Sequence, residues 1–221
     1  GYRHFRWQGH DHTTAANFDD SPHSVHGVAW QRPWRVVGQS ATQAEIEYTH
    51  VADAGWPFAF VARQRFVLTP DALELHFEFR NSADAPQPVG LGWHPYFPKR
   101  HRSRLHIELS DRWESDATGL PTRRVPQPGI DADVAHLAFD NCFEGWRGHA
   151  RIRDEKLSLK LSSSLPYLVV FTPQVRDYFC VEPVSHVSNA IHMADPAAHG
   201  LRTVAPGAVF DAWMKLEVAP I

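Results

Sequence analysis

Two short segments hold residue types that exchange protons near neutral pH. Gly90 to Pro98 reads GLGWHPYFP, which sets His94 between a tryptophan and a proline at the end of an apolar run. Cys180 to His192 reads CVEPVSHVSNAIH, where Glu182 closes another apolar run and precedes a proline that stops strand pairing. Imidazole and carboxylate are the commonest general acids and bases, and their surroundings decide which state each holds. Taken singly, each segment also has a plainer reading. The aromatics around His94 could simply fill a core, and carboxylates at strand ends are usually solvated. On an extended segment Trp93 and His94 point to opposite sides, so Trp93 is expected in the core and His94 in a cleft.

Other residues offer different chemistry. His10, His12, His23 and His26 cluster in sequence, and His10 and His12 would share one face of a strand, as in a metal-binding, cupin-like β-barrel. No acidic third ligand is spaced with them, so no metal is expected. Arg100, Arg102 and Arg104 could meet a phosphate group. With Lys99 and His101 beside them, they read more simply as a solvated basic loop. Cys142 and Cys180 lack CxxC spacing and are expected as buried thiols. The chain holds 15 histidines and 8 tryptophans, a store of the hydroxyl-binding and ring-stacking groups that a sugar site uses.

The elements that would position these residues are strands. Leu73, Leu75, Phe77 and Phe79 alternate with polar residues, the two-residue period of a half-buried strand. Arg63 to Thr69 precedes it across the turn-forming pair Pro70-Asp71, predicting an antiparallel hairpin. The same period recurs at Leu105, Ile107 and Leu109, at Leu157, Leu159 and Leu161, and from Phe210 to Val218. Tyr167 to Phe171, YLVVF, reads as a central strand covered on both faces. Only Asp131 to Phe139 could form a short helix, and the Pro-rich Ala85 to Pro88 reads as a loop. The fold class expected is all-β, an antiparallel β-sandwich, with residues 1–221 forming one domain. A formal charge of −3 gives no reason to bind nucleic acid. No apolar run approaches the ~20 residues of a membrane span, so a cytoplasmic protein is expected.

Together the two segments are more specific than either alone. A GxGxHPYF segment followed by a CVEP-type segment resembles the aldose 1-epimerase (galactose mutarotase-like) family. Three further segments are similar to that family's pattern, in order: PHSVHGVAW at Pro22 to Trp30, LAFDNCF at Leu137 to Phe143, and GLRTVAPG at Gly200 to Gly207. The resemblance runs from about residue 5 to the end of the chain. It implies a large galactose mutarotase-like β-sandwich and an isomerase that interconverts α and β aldose anomers without a cofactor. By the same resemblance His94 is the general acid and Glu182 the general base, and His26 and Asp140 bind the sugar's oxygens. Trp30 and Phe97 are further expected as stacking platforms. A carboxylate beside a histidine is expected to favour the ionised base and protonated acid together. The family pattern also carries an Asn-Arg pair roughly two dozen residues before the position of His26, and counting back reaches Gly1. The chain is therefore expected to open inside the family domain, without its first strands. The competing class is a non-catalytic sugar-binding module on the same sandwich, since fold and function are separable.

Overall fold

The computed structural model describes residues 1–221, built almost wholly of antiparallel strands with three single turns of 3-10 helix. The chain divides into two compact units.

The first unit comprises residues 1–67, 75–89 and 189–211. Its strands Arg35–Gln39, Gln43–His50, Phe60–Leu68 and Ala72–Asn81 lie side by side in that order. The last two form the hairpin read from the sequence, closed by Thr69 N donating to Ala72 O at 2.8 Å. Alternation buries Leu75 and Phe79, and Phe79 stacks on Phe60 with centroids 5.0 Å apart. The Pro-rich segment expected as a loop instead contains a strand, Gln87–Val89, paired with Arg202–Val204. Strand formation there secures two fully buried amides. Asn81 Nδ2 donates to Ala85 O and Val204 O, while Gln87 Nε2 donates to Asn81 Oδ1 at 2.6 Å and to Ala59 O. Trp56 Nε1 donates to the Gln87 carbonyl. A buried polar cluster is tolerable only when satisfied in this way.

The second unit comprises residues 68–74, 90–188 and 212–221. One of its sheets runs in the order Ile130–Asp133, Arg104–Ile107, His149–Arg153, Ser158–Ser163, Val209–Ala219. The other is six-stranded, in the order Pro121–Pro126, Asp111–Ser115, Asp140–Glu144, Tyr167–Phe171, Tyr178–Val184, Tyr96–Pro98. Each sheet hides one face, as the two-residue period requires. Leu105, Ile107, Ala150 and Leu161 are hidden on the first, and Phe143, Leu168, Val170, Phe179 and Val181 on the second. Phe179→Ala in such a core costs about 3–5 kcal/mol. The helix expected between Asp131 and Phe139 is a strand, Ile130–Asp133, followed by one 3-10 turn, Val134–His136. Ile130 pairs with Ile107 and Ala132 with Leu105, and that pairing outweighs the weak helical propensity of so short a run.

YLVVF is a central strand, but only one of its faces is covered. Leu168 and Val170 are fully buried, whereas Tyr167, Val169 and Phe171 are half-buried on the other side. That second face is the floor described next. No helix is long and apolar enough to cross a membrane.

Substituting Asn81 by Ala strands two carbonyls and the Gln87 amide. It should lower the unfolding free energy by about 1–3 kcal/mol in chemical denaturation.

Candidate active site

The floor is written by strand register. Asp140 faces Phe171, which faces Cys180, which faces Tyr96; one step along, Cys142 faces Val169, which faces Glu182. These side chains share one face of the six-stranded sheet, while Phe143, Leu168, Val181 and Phe97 share the buried face. Cys142 and Cys180 are both free and buried, as expected, and burial pushes each thiol up to about 12.

His94 reaches this face from the segment before the Tyr96–Pro98 strand. Trp93 N donates to Pro183 O at 3.1 Å, and Gly92 makes an isolated bridge with Val184. Gly92 has to be glycine there, since a Cβ would sit 2.9 Å from Val184 Cγ1 and 3.2 Å from Pro183 O. The bridge ties the histidine segment directly to the glutamate strand. As a result His94 Nε2 lies 3.4 Å from Glu182 Oε1, with the glutamate side chain 7% exposed and the histidine 29%. Trp93 is buried, as the alternation predicts.

The electrostatics of the empty site differ from expectation. Burial, aided by the charge of Asp140, raises the Glu182 carboxyl to about 8. Burial lowers His94 below the ordinary imidazole value, with Asp140 opposing the shift. Asp140 is itself raised, because the protein around its carboxyl displaces water, while His94 pulls the other way. A neighbouring carboxylate favours the ion pair, but desolvation acts against both charges. The resting pair therefore holds one proton as neutral acid and neutral imidazole.

Three expected site residues, His94, Glu182 and Asp140, thus come together in one unit. His26 and Trp30 come together in the other, edge to face at 5.9 Å, with Phe18 completing an exposed aromatic group. His26 is left-handed, with φ of 62°, and Trp30 Nε1 donates to Gly27 O at 3.1 Å. Phe97 is no platform. It is 5% exposed and packs against Phe179, because it sits one residue out of phase with the floor. Its neighbour Tyr96 takes the place, 61% exposed and stacked on the His94 ring at 4.7 Å with only 15° between planes. The signal was present in the sequence, since Tyr96 is two residues from His94. Trp113 was also missed. It borders a depression with Asp140, Cys142, Val169 and Ser188, and its indole N–H donates to Glu144 Oε1 at 2.7 Å.

His94, Cys180 and Glu182 are the one group of three metal-type donors in close proximity, spread up to 4.8 Å apart. Ligands around a tetrahedral zinc are separated by about 3.4–3.7 Å, and this thiol is held protonated, so the trio is not preset for a metal. The four N-terminal histidines form no such group. His12 stacks on Phe5, His23 accepts from Tyr2 N, and His26 sits against Trp30. Two of the loop arginines are engaged by carboxylates, Arg100 by Asp154 at 2.5 Å and Arg104 by Asp131 and Asp133.

The model of the aldose 1-epimerase family matches residues 3–217, and the chain belongs to that family. It is 28% identical over 231 residues to YphB of Escherichia coli K12, an uncharacterized protein, covering 97% of this chain and 78% of that one. A crystal structure from Escherichia coli K12, provisionally assigned as an aldose 1-epimerase, superposes with a TM-score of 0.90 at 27% identity, covering 99% and 79% of the two chains. A galactose mutarotase-like protein of Clostridium acetobutylicum shares the fold, with a TM-score of 0.88 at 18% identity and coverage of 99% and 76%. The fold is therefore the galactose mutarotase-like antiparallel β-sandwich.

The raised Glu182 makes a stability prediction. Between its ordinary value of 4.5 and about 8 the folded chain binds the proton and the unfolded chain does not, so this group's contribution falls as pH rises through that window. Its slope should approach roughly 1.4 kcal/mol per pH unit. Denaturation at several pH values should show Glu182→Gln losing that slope; an unchanged slope would contradict the shift.

Proposed function

We propose that the protein is an aldose 1-epimerase that interconverts the α and β anomers of an aldohexose. The observation that carries this reading is the His94–Glu182 pair, 3.4 Å apart on a sheet face that also bears Asp140.

The reaction moves one proton off the C1 hydroxyl and one onto the ring oxygen, so that the hemiacetal opens. C1 then turns about the C1–C2 bond and the ring recloses. In the reacting complex the pair's proton lies on His94. Glu182 takes the hydroxyl proton as His94 protonates the ring oxygen. The open-chain state then leaves Glu182 protonated and His94 neutral, the arrangement that burial favours in the empty site. Desolvation thus works toward ring opening, and hydrogen bonds from the sugar's hydroxyls to Glu182 restore the ionised base. Reclosure on the other face reverses both transfers, leaving the pair as it began. Protons move only between oxygen and nitrogen atoms, so the chemistry calls for no cofactor.

Tyr96 supplies an exposed ring for the C–H face of the pyranose, and Asp140 an acceptor for a hydroxyl. The partner is a small-molecule aldose. The reading carries with it a cytoplasmic setting, in keeping with two free thiols.

Polarimetry on freshly dissolved α-galactose and α-glucose is the direct test. The protein should speed equilibration well beyond buffer, and Glu182→Gln or His94→Asn should lower kcat by about 10²–10⁴. The pH profile should be bell-shaped, falling above about 8 as the pair loses its last proton and below the ordinary imidazole range as a second one binds. Binding without acceleration would sink the enzyme reading and leave a sugar-binding module.

A further inference from the structure

We propose that Ser185 and His186 are positioning residues that hold His94 against Glu182 through a chain of hydrogen bonds running from Leu91 through the serine to the His186 ring. The inference rests on His94 and Glu182 being the reacting pair.

Ser185 and Leu91 bond to each other twice. Ser185 N donates to Leu91 O at 2.8 Å, and Leu91 N donates to Ser185 Oγ at 2.8 Å. Leu91 lies three residues before His94 and Ser185 three after Glu182, and both are buried. The serine is thus the clamp that sets one reacting segment on the other, outside the Gly92–Val184 bridge.

The next bond extends the chain. Ser185 Oγ lies 3.0 Å from His186 Nδ1. A backbone N–H can only donate, so Ser185 Oγ accepts from Leu91. Its second lone pair is open to a protonated Nδ1 as well; the clamp uses the other arrangement, in which the hydroxyl donates to Nδ1 and His186 carries its proton on Nε2. An imidazolium could not accept, and burial holds this ring neutral, down to about 4. The ring is packed over Gly90, where a Cβ would meet His186 Cε1 at 2.0 Å. Glycine at 90 is what lets His186 approach the serine, and the fixed imidazole is what points the serine lone pair at Leu91. None of these groups needs to touch the sugar, so their effect belongs to geometry, where a displacement of about 1 Å can cost 10² in rate.

The test has a spectroscopic and a kinetic arm. In the full chain, long-range ¹⁵N–¹H correlation of histidine-labelled protein should show His186 as the neutral Nε2–H tautomer from pH 5 to 8. An Nδ1–H tautomer or a charged ring would overturn the proposal, whatever the enzyme's activity. Ser185→Ala and His186→Leu should move the His94 ring resonances and lower kcat about ten- to hundredfold with little change in KM. His186→Asn, whose carbonyl can replace the Nδ1 acceptor, should restore most of kcat and the native His94 resonances. Should His186→Leu match His186→Asn in both readouts, or should Ser185→Ala leave His94 undisturbed, the clamp plays no part in positioning. A wild-type chain without anomer exchange would defeat the epimerase reading and leave the tautomer and ring-position arms to decide this one.

Discussion

A carboxyl group almost closed off from water, 3.4 Å from an imidazole that is itself short of water, is the constraint on which the rest of the site depends. Neither group can hold its charge cheaply, and each can lower the other's cost. The outcome is a pair that holds one proton, on Glu182 at rest. An acid–base reaction that uses both groups and returns both needs that property. Asp140 adds to the proton affinity of both groups, since its charge discourages ionisation of Glu182 and encourages protonation of His94.

The sheet supplies this pair through register. Six antiparallel strands carry one face into a dry core and leave the other as a floor, so floor and core residues alternate along a strand. Glu182 lies between Val181 and Pro183, both buried, and that packing denies it water. The histidine comes from a segment that bridges to the same strand only because residue 92 has no side chain. Burial, which stabilises the unit, and the unusual state of the carboxyl, which costs stability, are consequences of the same packing.

Much of this was legible in the sequence. Period-two alternation identifies four of the nineteen strands, Ala72–Asn81, Arg104–Ile107, Ser158–Ser163 and Val209–Ala219, Trp93 and His94 sort to opposite sides as expected, and the motifs alone point to His94, Glu182 and Asp140. Three readings of the site and its floor failed for physical reasons. YLVVF looks buried on both faces because Val169 and Phe171 are apolar, yet they line a floor open enough for a ligand. Phe97, expected as a platform, is one residue out of phase with the floor and buried, whereas Tyr96, two residues from His94, lies on its side. The ionic pairing expected of Glu182 and His94 ignored desolvation, which depends on neighbours far away in sequence. Gly90 and Leu91 could not have been linked to Ser185 and His186 without the fold, because those contacts arise from a crossing of segments separated by almost half the chain.

Whether His94 and Glu182 act as one unit sharing one proton is read by a kinetic double-mutant cycle of His94→Asn and Glu182→Gln, followed by exchange NMR between the two anomers of C1-labelled sugar. If the pair is one unit, each single substitution removes nearly the whole acceleration and the double variant is scarcely slower than either. Two independent losses that multiply in the double variant would contradict the shared proton.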